Sequence, residues 1–140
     1  LEKTIAPPSL SDIDALARAA LASLPEPFRQ FTTGVVLQVE EFPDEEVCEQ
    51  MELESPFDIL GLYQGIAVGE RLMESSGTMP DMVFLYRRPI LDYWCETAED
   101  LRHIVRHVLI HEIGHHFGLS DAEMAAIEAE ADADDAAHTS

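Results

Sequence analysis

Apolar residues near the start of the chain recur three and four apart, at Ile13, Leu16, Ala17, Ala20, Leu21 and Leu24. That spacing predicts an amphipathic helix, with Ser11 as its cap and Pro25 and Pro27 closing it. The period then changes. "GVVLQVEEF" (34–42) is rich in β-branched residues and stops before Pro43, so a strand is expected. Asp44 is placed to cap a short helix that runs to about Met51. "DILGLYQG" (58–65) and "DMVFLYRRP" (81–89) read as a second and a third strand, bounded by glycine and by Pro89. Between them, residues 66–80 lack a clear period and hold Gly69, Gly77 and Pro80, which points to a hairpin or loop.

The helical period returns at Thr97. Thr97 and Asp100 form a capping-box pattern with Asp in place of Glu. The helix they open is expected to reach Gly118, the residue type favoured just past a helix end. Leu101, Ile104, Val105 and Val108 form its core stripe. Ser120 and Glu123 make a second capping box and start another helix. The order α, β, α, β, β, α, α predicts a small α+β domain, its short mixed sheet packed on the long helix. Trp94 is expected to anchor the core.

Length and composition narrow the picture. With 140 residues and 46% hydrophobic content, the chain reads as one globular domain. Residues 11–132 form that domain, residues 1–10 a flexible arm without the apolar core of a secretory signal, and 133–140 an acidic tail. No apolar run approaches the length of a membrane span. A net charge of −20 repels nucleic acid and anionic membrane alike, so neither is expected as a partner. The cysteines, Cys48 and Cys95, are far apart and form no CxxC pair, which suits reduced thiols in the cytoplasm. Oligomeric state is left open, a homodimer included.

The chemistry is concentrated in "HEIGHHFGLSD" (111–121). His111 and His115 are four apart, so a helix sets both rings on one face, one turn from each other. Two imidazoles so placed can share one zinc ion. Glu112 projects beside that face, where it can take a proton from water without displacing a ligand. A catalytic zinc needs a third protein ligand and an open position. Gly118 can turn the chain back and bring Asp121 to that role. H-E-x-x-H followed by Gly and Asp at successive three-residue steps is far rarer by chance than H-E-x-x-H alone.

HEIGHHFGLSD resembles the HExxHxxGxxD signature of zincin metallopeptidases whose third zinc ligand is an aspartate. The chain's small size and the motif's place near the C-terminus look like the bacterial minimal-zincin family. That resemblance implies zinc held by His111, His115 and Asp121, and Glu112 as general base. It also implies a peptide or protein substrate and a sheet whose edge strand borders the cleft. One departure is visible. Larger zincins with this motif carry a methionine turn well downstream of the third ligand, whereas here only Met124 follows, inside an expected helix.

Other residues have plainer readings. Asp121 also suits the start of the last helix through the helix dipole, and Glu128 and Glu130 stand as fallback third ligands. His116 is rotated away from His115 and is expected to pack or to support a ligand. His103 and His107 continue the four-residue spacing upstream. Without a matching carboxylate they read as surface or core histidines. Tyr63, Tyr86, Tyr93, Arg87 and Arg88 could stabilise an oxyanion if they reached the cleft; packing and a solvated strand end are the plainer alternatives. Two other functions use the same residues: a binding or regulatory module without hydrolysis, and an iron oxygenase of the two-histidine, one-carboxylate kind. Glu112 beside the first histidine favours hydrolysis over both.

Overall fold

The computed structural model describes residues 6–65 and 80–138. Apart from Pro80, the expected hairpin or loop at 66–80 lies outside the described residues.

The first helix, α1 (Leu10–Ser23), is capped by Ser9 and not by Ser11. Both serines have an aspartate three residues on, so spacing alone does not choose between them. Asp12 closes a capping box with Ser9, through bonds of 2.8 and 3.1 Å. Asp14, the partner Ser11 would need, pairs with Arg18 at 2.8 Å. After a 3-10 turn (Phe28–Thr32) that buries Phe28, the chain enters β1 (Val36–Glu40). The short helix α2 (Glu45–Gln50) is capped by Asp44 as the sequence predicts.

Strands β2 (Gly61–Gln64) and β3 (Met82–Tyr86) complete a three-stranded mixed sheet. β3 is central, parallel to β1 and antiparallel to β2, so among the described residues β2 is an edge strand. Alternation along β3 sends Val83 and Leu85 into the core. There they join one core cluster with Leu37, with Ile13 and Ala17 of α1, and with Ile104, Val105 and Leu109. The sheet therefore packs on the long helix, as expected for this α+β domain.

The sequence reading departs most at Pro89. β3 ends at Tyr86 and the chain turns at once into α3 (Arg87–Glu96). Pro89 is the third residue of that helix, where its missing N–H leaves no helical bond unmade. Arg87 and Arg88 are thus not a solvated strand end. Arg87 donates to the Pro8 carbonyl at 2.6 Å and to Glu41 at 2.9 Å, and Arg88 lies over the Phe42 ring at 5.5 Å. Trp94 lies on α3 and packs against the core. Thr97 ends α3, which leaves Asp100 to cap the long helix α4 (Leu101–His116), accepting from the Arg102 amide at 2.8 Å.

Gly61 shows how closely the sheet lies on α4: a Cβ there would stand 2.7 Å from Val108 Cγ1. At the far end of α4, Gly118 takes φ of +78°. The Leu119 amide donates to the Gly114 carbonyl at 2.9 Å and the Gly118 amide to the His115 carbonyl at 3.1 Å. This paired-bond closure is available at low strain only to glycine. The chain then reverses into α5 (Asp121–His138), and the expected box of Ser120 and Glu123 forms, with bonds of 3.0 and 3.1 Å. Met124 and Ala131 are buried as α5 runs back beside α4. Among the described residues no helix is long and apolar enough to cross a membrane.

Candidate functional site

The site lies where α4 and α5 run antiparallel. Side chains four apart on α4 face carboxylates in ascending order on α5. His115 Nε2 stands 3.9 Å from Asp121 Oδ1. One turn back, His111 Nε2 stands 3.5 Å from Glu128 Oε2, and another turn back His107 Nδ1 meets Glu128 Oε1 at 2.6 Å. His103 lies 3.4 Å from Asp132, which also pairs with the buried Arg106. The result is a ladder of imidazoles matched to acids across the helix pair.

The motif histidines are adjacent, as their spacing requires. The His111 and His115 rings lie 5.7 Å apart between centroids and are nearly perpendicular, at 87°. Asp121 reaches His115 because the Gly118 turn carries it back past the end of α4. His115 and Asp121 approach to 3.9 Å, but the ligand atoms of His111, His115 and Asp121 do not all lie within 4.8 Å of one another. His107, His111 and Glu128 do form such a group, their ligand atoms all within 4.8 Å of one another. Imidazole with carboxylate is a donor set suited to zinc and its neighbours in the transition series.

Burial shifts two motif residues in opposite directions. Burial lowers the His111 pKa from its ordinary value, and nearby His107 and His115 push the same way against the pull of Glu128. A neutral ring has a lone pair to offer a metal. Burial raises the Glu112 carboxyl above its usual range, with His115 partly opposing. A carboxylate so placed has a raised affinity for a proton.

His116 faces another way. Its ring stacks on Tyr63 with centroids 4.0 Å apart, and its Nε2 lies 3.9 Å from Asp81. The Tyr63 hydroxyl donates to Asp81 at 2.6 Å. The expected packing role of His116 therefore has a definite form: it ties the end of α4 to edge strand β2.

His107 is the residue that sequence reasoning set aside. Its spacing from His111 was the available signal, but the carboxylate that completes the group is on the following helix. Glu128 comes into place only through the register in which α5 folds back, and helical spacing along α4 says nothing of that register.

Residues 32–131 match the zincin-like metallopeptidase family. The match covers most of the chain, which therefore belongs to that family. No curated protein matches the chain.

Proposed function

We propose that this zincin-like domain is a zinc-dependent peptidase, with His111, His115 and Asp121 as metal ligands and Glu112 as general base. The observation that carries the reading is the Gly118 turn. It returns Asp121 to 3.9 Å from His115, one helical turn from His111. When bound, zinc would supply Lewis acidity toward a water and toward the scissile carbonyl. Glu112, next in sequence to His111 and half-buried, takes the proton from that water and passes it to the leaving amine.

The sheet supports a peptide substrate. Among the described residues β2 is an edge strand lying against the motif helix, and an extended peptide can add to such an edge through main-chain hydrogen bonds. A pocket of about 230 Å³ lies one turn before the motif on α4, lined by Leu60, Tyr93, Glu99, Ile104, His107 and Val108. The free thiols of Cys48 and Cys95 fit a reducing compartment, the cytoplasm.

The experiment is zinc analysis of chelator-free, untagged protein carrying His107→Ala, with and without Asp121→Ala. About one zinc per chain in the first and none in the second supports the three-ligand site and opens a peptide-library search. A His107→Ala protein that refuses zinc at neutral pH sinks the peptidase reading and leaves a binding module on a zincin scaffold.

A further inference from the structure

Glu128 sits between two histidines. Its Oε1 meets His107 at 2.6 Å and its Oε2 faces His111 at 3.5 Å. Helix geometry explains the first half of this arrangement. His107 and His111 are four apart on α4, so their rings lie close, 4.0 Å between centroids. Packing of α5 explains the second half. Met124 and Ala131 are buried against the rest of the fold, and Glu128, four past one and three before the other, projects on the same flank. The Arg106–Asp132 ion pair, one turn further along α5, holds that register.

Two imidazole nitrogens and one carboxylate oxygen are the donors that zinc, cobalt, nickel and iron(II) accept, whereas calcium and magnesium prefer all-oxygen sets. The His111–Glu128 separation of 3.5 Å is close to the roughly 3.3 Å between neighbouring donors on a tetrahedral zinc. His107, with its side chain more than half exposed, can rotate to open the shorter contact and admit an ion from solvent.

We infer that the α4–α5 groove holds a second transition-metal site, made by His107, His111 and Glu128, which competes with the zinc site proposed above for the same nitrogen of His111. The site itself stands on these three residues alone; the competition rests on the peptidase reading. His111 Nε2, the ring nitrogen farther from the backbone, has a single lone pair and ligates one ion at a time. An ion held by His107 and Glu128 leaves His115 and Asp121 without their shared partner. An ion held there would lie one helical turn from the position proposed for zinc beside Glu112.

The test is zinc binding by the full chain against a chromogenic chelator. His115→Ala with Asp121→Ala removes the motif's other ligands, and both side chains are more than half exposed, so the core is untouched. The double variant should still bind about one zinc. Adding His107→Ala should abolish that binding, and adding Glu128→Gln should weaken it by at least about tenfold. A double variant that binds no zinc overturns the inference, and His107 with Glu128 is then an ion pair only. Wild-type protein saturating at about two zincs per chain overturns the competition. The His107→Ala protein reports separately on the peptidase reading, so the two proposals can fail independently.

Discussion

Met124 lies directly against Gly114: a Cβ on that glycine would stand 2.5 Å from Sδ and 2.9 Å from Cγ. Met124 is fully buried, so an added methyl forces its flexible side chain to repack within the contact between α4 and α5. Two effects oppose each other in Gly114→Ala. Helix propensity gains about 1 kcal/mol, while overpacking costs about 1–3 kcal/mol. The net expectation is a loss of about 1 kcal/mol, and a larger loss for Gly114→Val, read from urea unfolding midpoints. A stabilised Gly114→Ala would show that the helix pair is looser than its contacts imply.

That contact also shows what the sequence could and could not disclose. The motif, its helix, the Gly118 closure and the last capping box were all legible, because each depends on residues within a few positions of one another. Long-range facts were hidden. One local choice was hidden as well: Ser9 and Ser11 each have an aspartate three residues on, and the capping box forms at Ser9. Pro89 reads as a strand stop, yet the first turn of a helix accepts proline as readily, so α3 was missed and Thr97 was assigned to the wrong helix end. The His107–Glu128 pairing depends on the register of two helices, which no spacing within either one records.

Tyr63 is expected to hold the end of α4 against the edge strand. Its hydroxyl donates to the buried Asp81 at 2.6 Å while its ring stacks on His116. Tyr63→Phe removes the hydrogen bond to a charged acceptor and keeps the stack, at a cost of about 2 kcal/mol. Tyr63→Leu loses both and should be clearly worse. Equal unfolding midpoints for the two variants would mean that the stack contributes nothing.

Glu112→Gln separates chemistry from binding. The substitution keeps the size and half-buried position of the side chain but removes the base. Hydrolysis of a peptide found in a library screen should fall by about a hundred- to ten-thousandfold, with zinc content unchanged. Stability should hold or rise slightly, since burial already disfavours the charged carboxylate there. If hydrolysis persists at the wild-type rate, Glu112 is not the base and another group must take the proton.

Tyr86 gives a pH prediction that does not involve the metal. Its side chain is buried at the junction of β3 and α3. Burial raises the phenol's pKa well above its ordinary value, and the charges of Glu40, Asp44, Cys48 and Glu112 raise it further. In the unfolded chain a tyrosine titrates near about 10. Below that pH both states hold the proton, and the full stability is present. Above it the unfolded chain releases the proton while the folded chain keeps it, so stability falls as pH rises toward the folded value. Tyr93, raised mainly by its hydrogen bond to Glu99, adds a smaller slope of the same sign. Urea unfolding between about pH 9 and 11 should therefore show stability declining in the wild type and declining less in Tyr86→Phe. An identical slope in the variant would place the alkaline sensitivity elsewhere, with Tyr93→Phe as the next substitution to measure.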